Sequence, residues 1–445
     1  MTHVTAVPAL SGDPLLSGFP VGDDARPQGW LPESRLASAL LAGFIYFALA
    51  VVSIALSRHG STVAMLWYAN AAGMAVLFSR PMRQWPVLLG AMALGSLAAG
   101  RVFGDSAQFL LICISANTFE VLLGGLLLSR YCAPARCVSR AGALLKALLL
   151  GGVVPAFFGA LLGAGLLSHY QLGPFERVWL SWFEGDSIGS VAVLPLGLLL
   201  AARGWQPVGA VLRRPAVLMA WALVVALALW APPSVPYPFV YISIGLVLVA
   251  SLGRFAGASL GVLLCSLSLG VVIASGTFEP MIATRPVDEG LLYLPLLLVL
   301  VPPLLLAANL ERIQQGVLEL ARREDDFRTL YQEAPVMMHS TDPQRRLISV
   351  NDEWLARLGY ERAEVLGRPS MDFLTPESRK RAEESLIPRF IEQGFLRDVD
   401  YQMVTKGGDI MDVQLSAVWQ RDAQGRLLRT LSVMKETTEQ KRLAA

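Results

Sequence analysis

Charged residues are scarce in this chain of 445 residues. They make up 16% of the sequence, whereas soluble proteins average about 25%, and most of them lie beyond Leu310. This deficit excludes a chain built only of soluble domains and indicates a membrane-embedded first part joined to a soluble last part. The net charge of +2 is too small to indicate a nucleic-acid partner, so none is predicted.

Cysteine is also scarce, and none of the four cysteines has the neighbours of a zinc site. Cys132 and Cys137 flank a loop that is predicted below to be cytoplasmic, where reducing conditions disfavour a disulfide. Cys113 and Cys265 are expected to be small apolar side chains. We therefore predict no metal site.

Catalytic motifs are missing as well. The sequence has no Walker-type glycine loop and no HExxH motif. It also lacks a phosphoacceptor-histidine helix, an asparagine-rich ATP box and a GGDEF or EAL tract, and the KGGD sequence at 406–409 is predicted to be a hairpin turn. Only three residues follow Arg442. We expect no enzyme activity from this chain, unless a catalytic domain is missing from it.

Long apolar stretches are abundant in the first part. A helix needs about 17 to 25 apolar residues to cross a bilayer, and about ten stretches come close to this length. Because several are short or closely spaced, eight spans also fit. The stretches lie at about 36–57, 61–79, 85–100, 107–129, 141–167, 185–202, 215–231, 237–252, 254–274 and 290–309.

Loop charges predict the orientation of these spans, because lysine and arginine stay on the cytoplasmic side. If the N-terminus is inside, the inner loops hold nine arginines and the outer loops hold four. Ten spans return the chain to the cytoplasm, where Arg312, Arg322 and Arg323 follow. We therefore predict that both termini are cytoplasmic.

Polar residues inside the predicted spans are candidates for a site that senses a ligand or signal, because such groups are costly in hydrocarbon. Asn117 and Glu120 are three residues apart and share one helix face. For the asparagines, hydrogen bonds that fix helix packing are the favoured interpretation, whereas for Glu120 and Asp186 packing and sensing are equally open. The full set of candidates is Trp67, Asn70, Asn117, Glu120, Glu184 and Asp186.

The first part resembles the membrane-associated sensor domain, first class, of bacterial signalling proteins. The resemblance covers about 36–310 and includes the stretches WYANAAG, WPVLLGAMALGSLAAG, NTFE, WFEGDSIGSVAVLPLGLLL, RFAGASLGVLL and SGTFEP. Tyr68 stands where the family usually has proline. The resemblance implies an integral sensor of the bacterial inner membrane that feeds histidine kinases or cyclic-dinucleotide enzymes.

A charged helix follows the last span. Its apolar positions have a 3-4-3-4-3 spacing interrupted by Glu324, which is typical of a short coiled-coil seam. We predict that two chains dimerise here and pass helix motion inward, and the alternative is one amphipathic helix that packs on its own domain. The predicted relay residues are Leu310, Ile313, Val317, Leu320 and Phe327.

The last part alternates short strands and helices and ends in three strands separated by turns. The stretches FRTLYQEAPVMMHSTD, ISVNDEWLARLGYERAEVLGR, YQMVTKGGDIMDVQLSAV and TTEQKR resemble a PAS domain over about 325–442. The resemblance implies an α+β domain with a five-stranded antiparallel sheet, coupled to its neighbours through Asn351, Glu436 and Thr438. Arg345 replaces the usual glycine of the first hairpin, and Glu436 replaces the usual aspartate.

No cofactor is predicted in this domain. Photoreceptor relatives bond flavin through a cysteine, and no cysteine follows Cys265. Haem would need an axial histidine, and the available one, His339, lies on the first strand rather than on the long helix. The aromatic residues most simply fill a core, and they are Trp354, Phe373, Phe390 and Tyr401.

The predicted fold is a polytopic α-helical membrane bundle of about eight to ten spans followed by a C-terminal α+β PAS domain. The predicted function is a membrane sensor that signals through a stalk and the PAS domain to a cytoplasmic kinase, cyclase or response regulator. One alternative is the sensory portion of a histidine kinase or diguanylate cyclase without its catalytic domain, and another is a small-solute transporter with a regulatory PAS domain. The predicted segments are a disordered tail (1–35), the membrane sensor (36–309), the stalk (310–326), the PAS domain (327–438) and the start of an exit helix (439–445).

Overall fold

The computed structural model describes residues 30–58, 63–276, 294–421 and 426–438. The predicted tail, apart from its last residues, and the predicted exit helix lie outside these ranges. The chain divides into two compact units, Met1–Gln315 and Gly316–Ala445.

The first unit is a bundle of helices with apolar cores, as the long apolar stretches predicted. The first nine helices are α1 (Arg35–Ser57), α2 (Ala69–Phe78), α3 (Trp85–Val102), α4 (Ala107–Tyr131), α5 (Pro134–Ser139), α6 (Ala141–Leu148), α7 (Val154–His169), α8 (Phe175–Arg203) and α9 (Gln206–Leu212). A turn of π-helix, Leu149–Val153, joins α6 to α7. The remaining helices of the bundle are α10 (Pro215–Ser234), α11 (Pro238–Ala274) and α12 (Leu294–Gln332).

Eight helices in the described ranges are long and apolar enough to cross a membrane, which confirms the predicted membrane bundle. One of them, the 37-residue α11, contains a non-helical residue, Arg254, with φ 52° and ψ −147°. A Cβ atom on Gly261 would lie 2.9 Å from the Val249 side chain, although twelve residues of straight helix span about 18 Å. The two halves of α11 therefore fold back on each other and correspond to the two separate spans predicted there.

Helix α2 departs from the prediction of a full helical span. It has 10 residues, and the backbone at 63–68 before it is not helical. Serine hydroxyls of α1 accept hydrogen bonds from this backbone, Ser57 from Leu66 N at 3.0 Å and Ser53 from Tyr68 N at 3.1 Å. Such partners permit irregular backbone inside a membrane protein, because water is not there to replace them.

The last span and the predicted stalk form one helix, since α12 runs without interruption for 39 residues and includes two prolines. The apolar residues of the predicted seam are largely exposed in the single chain, with exposed fractions of 63% for Ile313, 69% for Leu320 and 65% for Phe327. This part of α12 therefore presents an uncovered apolar stripe. Whether two chains pair through it stays a prediction.

The second unit contains a five-stranded antiparallel sheet in the order β2-β1-β5-β4-β3, which confirms the predicted PAS fold. The strands are β1 (Met337–Thr341), β2 (Leu347–Val350), β3 (Phe395–Val404), β4 (Ile410–Arg421) and β5 (Leu427–Glu436). The helices are α13 (Asp352–Leu358), α14 (Arg362–Val365), α15 (Pro376–Arg381) and α16 (Ile387–Gln393). A turn of π-helix, Ala382–Leu386, joins α15 to α16 in one continuous helical stretch.

Candidate functional site in the membrane bundle

Polar residues from four helices meet in the middle of the bundle, and those on three of these helices are predicted candidates. Asn70, near the start of α2, accepts a hydrogen bond from the Tyr46 hydroxyl of α1 at 2.6 Å. Its amide nitrogen donates to Asn117 of α4 at 3.1 Å and approaches Asp186 of α8 at 3.5 Å. All four side chains are buried. We call these residues together with Glu120 the polar cluster.

Glu120 lies one turn after Asn117 on α4 and is fully buried. Its carboxyl group is close enough to that of Asp186 to interact with it electrostatically. Helix α7 leaves room for it, because a Cβ atom on Gly159 would lie 2.7 Å from Glu120 Oε2. The glycine at this position thus lets the carboxyl side chain of α4 lie directly against α7.

Three carboxyl oxygens of the polar cluster have no hydrogen-bond partner within the described ranges. They are both oxygens of Glu120 and Oδ1 of Asp186. A buried polar atom without a partner is costly, by about 1 to 3 kcal/mol for a neutral group and more for a charged one. A set of three in one place is unusual for a purely structural contact.

The unwound segment 63–68 holds α2 in position against α8. The backbone nitrogen of Trp67 donates to Gly185 O at 3.2 Å, and a Cβ atom on Gly189 would overlap the Trp67 carbonyl oxygen. The two glycines of α8, Gly185 and Gly189, therefore allow the non-helical backbone of 63–68 to lie directly against this helix. Tyr68 is buried here, its hydroxyl lies 2.9 Å from Ser266 Oγ, and its N–H donates to Ser53, a bond that the proline usual in the family lacks.

A cavity of about 60 Å³ lies beside the polar cluster. Trp67, Asn117 and Asp186 contribute to its wall. It also reaches an ion pair in which Arg58 Nη1 contacts both carboxyl oxygens of Asp105, at 2.9 and 2.8 Å. The remaining lining residues are Ile54, Val63, Ala64, Ser96, Gly100, Phe109, Leu110, Cys113 and Trp182.

The structure brings together five of the six candidates, and Glu184 is the exception. It lies two residues before Asp186 on α8, and side chains two apart on a helix point in directions about 200° apart. Glu184 is half-buried and does not line the cavity. Sequence reasoning missed Tyr46, because a single hydroxyl within an apolar span gives no charge signal, and it assigned Arg58 and Asp105 only to loops.

In the second unit, the predicted coupling residue Asn351 is fully buried and connects the end of α12 to the sheet. Its side-chain oxygen accepts from Trp354 N at 3.1 Å, which caps α13, and from Met338 N at 2.8 Å. Its side-chain nitrogen donates to Val336 O at 2.8 Å and Ala334 O at 3.3 Å, just after α12. One amide therefore fixes a helix cap, a strand and the chain that leaves α12.

The other two coupling residues lie at the end of the sheet. Glu436 forms an ion pair with Arg357 of α13 at 3.0 Å. The Thr438 hydroxyl accepts from Asp412 N at 3.1 Å. These contacts attach the last described residues to β4 and α13, while the coupling role itself stays a prediction.

His339 is buried on β1, and its Nδ1 has no partner among the described residues. Burial lowers the pKa of His339 to about 4, so the side chain is neutral at physiological pH. No group of three or more His, Cys, Asp or Glu side chains in the described ranges could hold a metal ion. The absence of a haem or flavin remains an expectation.

Comparison with known proteins identifies both units. Residues 37–314 match the MASE1 family and residues 334–439 match the PAS domain family. The chain belongs to the MASE1 family. It is also 22% identical over 407 residues to the probable diguanylate cyclase DgcE of Escherichia coli K12, an alignment that covers 90% of this chain and 36% of DgcE. The chain thus spans about a third of that relative.

Solved structures of PAS domains also match the second unit. A PAS domain from Colwellia psychrerythraea is 18% identical, with a TM-score of 0.25, and the match covers 27% of this chain and 98% of that one. A PAS domain of an HTR-like protein from Haloarcula marismortui is 20% identical, with a TM-score of 0.24, over 28% of this chain and 98% of that one.

A MASE1 bundle followed by a PAS domain is the arrangement of a membrane signal sensor and transducer, and neither matched family is catalytic. The chain is therefore an integral membrane sensor, as the sequence predicted. The segments that suggested the family include Trp67 and the Gly185, Asp186, Gly189 group of α8. In the MASE1 bundle these segments contact each other, and one of their residues, Asp186, belongs to the polar cluster.

Proposed function

We propose that the polar cluster and its cavity are the sensing site of the MASE1 bundle, and that α12 transmits their state to the PAS domain. The observation that carries this proposal is Asp186, which lines the cavity and whose Oδ1 accepts no hydrogen bond from the described residues. A cluster that served only packing would satisfy its own hydrogen bonds. Asp186 Oδ1 is therefore available to a ligand, a proton or water in the cavity.

Helix α8 supplies a route from this site to α12. It carries Asp186 in its first half and Arg203 as its last residue. Arg203 forms an ion pair with Glu311 of α12, and both side chains are mostly buried. If binding at Asp186 shifts α8, Arg203 moves with this helix. The ion pair between Arg203 and Glu311 would then displace α12.

The far end of α12 is attached to the PAS sheet. The Tyr331 hydroxyl accepts from Ser349 of β2 at 3.0 Å. Arg362 donates to the Gln332 side chain at 3.0 Å and to Val350 O. A small displacement of α12 would therefore act directly on β2 and α14. The transition is a shift in population between two arrangements of packed helices.

The output is a cytoplasmic enzyme or regulator, and a cyclic-di-GMP cyclase is the class that we favour because the relative DgcE is a probable diguanylate cyclase. A partner kinase or response regulator is the other class. The distribution of loop arginines supports cytoplasmic termini, and the MASE1 match supports a location in the bacterial inner membrane. The exposed apolar stripe of α12 supports pairing of two chains along it.

The test is a fusion of the full chain to a diguanylate cyclase domain, with cyclic-di-GMP synthesis measured in isolated membranes. Asp186→Asn and Glu120→Gln preserve shape and remove the carboxyl groups, so each should change the synthesis rate severalfold. Glu184→Gln is the control, since its side chain lies on another face of α8. Equal rates in all four proteins, each shown to be folded, would refute the sensing role.

One observation favours a second candidate, a small-solute transporter with a regulatory PAS domain. Transporters commonly place their binding site at an unwound stretch next to a half-helix, and 63–68 followed by α2 has this form. Uptake of a radiolabelled solute into sealed vesicles, abolished by Asp186→Asn, would support transport.

A further inference from the structure

We propose that the cavity beside the polar cluster binds a small organic cation, a protonated amine with only a few heavy atoms. This inference rests on the proposed function, because it assigns a class of ligand to the same site. It is carried by the charges, the size and the lining of the cavity.

The cavity has an acidic end. The acidic and basic residues in its lining are Arg58, Asp105 and Asp186. The first two form an ion pair, since Arg58 contacts both oxygens of Asp105. Asp186 faces no lining cation, and Glu120 lies beside it. The end of the cavity at Asp186 therefore offers a carboxyl group to a cation and no cationic group to an anion.

Hydrogen-bond acceptors also contribute to the lining. Asp186 Oδ1 has no partner, and Asn117 Oδ1 accepts one hydrogen bond although a carbonyl oxygen has two lone pairs. Ser96 contributes a hydroxyl to the same lining. An ammonium group carries three donors and no acceptor, so these three oxygens complement it. An anion would find no free cationic donor in the lining.

The rest of the lining suits an organic group rather than a metal ion. Trp67, Trp182 and Phe109 present aromatic rings, and Ile54 and Leu110 present aliphatic side chains. Aromatic faces attract organic cations through the ring quadrupole. A hard metal ion instead requires about six oxygen ligands, and no metal-binding group of acidic or histidine side chains occurs in the described ranges.

The size of the cavity limits the ligand to a small molecule. A volume of about 60 Å³ accepts a few water molecules or one compact organic molecule. The propylammonium ion has four heavy atoms and serves as the probe. Because so few atoms support only weak binding, its dissociation constant is expected in the millimolar range.

The experiment measures the thermal stability of the full chain in nanodiscs against the concentration of propylammonium chloride. A ligand that binds only the folded protein raises the melting temperature with its concentration. We expect a saturable rise with propylammonium and none with propan-1-ol, propionate or sodium chloride at equal concentration. A rise of equal size with propan-1-ol, or no rise with any probe, would overturn the assignment of a cation.

Three variants locate the site. Asp186→Asn should abolish the rise, Trp182→Leu should weaken propylammonium binding at least tenfold, and Glu184→Gln should leave it unchanged. If Asp186→Asn does not fold, Trp182→Leu decides the matter, because it retains both carboxyl groups. An unchanged response in a folded Asp186 or Trp182 variant would place the cation elsewhere and contradict the proposal.

The cyclase fusion separates this inference from the proposed function. If propylammonium does not bind but Asp186→Asn still alters cyclic-di-GMP synthesis, the sensing role stands and the cation is rejected. A synthesis rate that follows pH alone, with no effect of propylammonium, also rejects the cation in favour of a proton. If neither binding nor synthesis depends on Asp186, both proposals fail.

Discussion

The interior of the membrane bundle and the core of the PAS domain treat buried polar groups in opposite ways. In the PAS domain, the fully buried Asn351 makes four hydrogen bonds to backbone groups. In the bundle, neither oxygen of the equally buried Glu120 has a donor at hydrogen-bond distance and angle within the described ranges, although Asp186 and Asn70 lie close to it. The first arrangement fixes one structure, whereas the second leaves binding capacity unused. The PAS core is therefore suited to transmitting a change as a rigid unit, and the polar cluster of the bundle is suited to binding a ligand or proton.

The two interiors also differ in how they pack. The PAS core contains large rings such as Trp354 and Phe373, whose centroids are 5.3 Å apart at 83°. The bundle instead relies on glycine, as at Gly189, where backbone meets backbone. Burial of large apolar side chains stabilises a domain in water, but in lipid it gives little advantage, so close backbone approach takes its place.

The largest effect is expected from Gly189→Ala in α8, which tests whether the bundle depends on close backbone contact at a glycine. The added methyl group would overlap the Trp67 carbonyl oxygen, so the unwound segment must move and the polar cluster with it. We expect loss of the folded bundle, seen as aggregation in size-exclusion chromatography after detergent extraction.

Gly165→Ala on α7 is the matched control for that change. A Cβ atom there would meet nothing within 4 Å, and alanine favours a helix over glycine. This variant should elute as the wild type does. Equal behaviour of the two variants would show that the close contact at Gly189 is not required.

The second prediction concerns Asn351→Ala, which removes four hydrogen bonds from the PAS core. The variant leaves buried donors and acceptors unpaired and should destabilise the PAS domain by about 3 kcal/mol. Hydrogen exchange of β1 and α13 in the full chain measures the change. Asn351→Asp keeps both acceptor bonds and loses the hydrogen bonds donated to Ala334 and Val336, so its loss of stability should be about half as large. Full protection of β1 and α13 in Asn351→Ala would contradict the role assigned to Asn351.

The third prediction is a pH dependence confined to the PAS domain. Because the pKa of His339 is about 4 in the folded state and about 6.5 in the unfolded state, the unfolded chain binds the proton more readily between these values. The stabilisation is present above pH 6.5 and is lost as the pH falls toward 4. Between pH 7 and pH 5 the domain should lose about 2 kcal/mol.

Urea unfolding followed by the fluorescence of the full chain at both pH values measures this loss. His339→Gln cannot take up the proton, so its own pH dependence gives the contribution of the other groups. If the wild type and the variant lose the same free energy, His339 is not the group responsible.

The smallest expected effect lies in the first PAS hairpin. Arg345 adopts a left-handed conformation with φ 63°, which costs a residue with a Cβ atom about 1 kcal/mol. Arg345→Gly should therefore stabilise the domain by about that amount in urea unfolding. Arg345→Ala removes the same charge but keeps the Cβ atom, so it should show no comparable gain.

Several features of this site could be predicted from the sequence. Polar residues in apolar spans stand out because hydrocarbon excludes them, and Asn70, Asn117, Glu120 and Asp186 were found for that reason. Spacing alone could not tell that they meet, since helices two or four spans apart in sequence become neighbours only through packing. Tyr46 gave no such signal, and the direction of Glu184 depended on which face of α8 turns inward.

The sequence by itself determined the two-part architecture, the apolar helices, the alternating pattern of the PAS strands and the Asn351 cap, because each depends on local composition or on residues close along the chain. Tertiary structure alone decided that the second span is broken at 63–68, that α11 folds back at Arg254, and that three carboxyl oxygens remain unpartnered beside a cavity. These features depend on which surfaces meet. The close approach of Gly189 to Trp67, or of Gly159 to Glu120, joins residues more than thirty positions apart, so no local pattern encodes it.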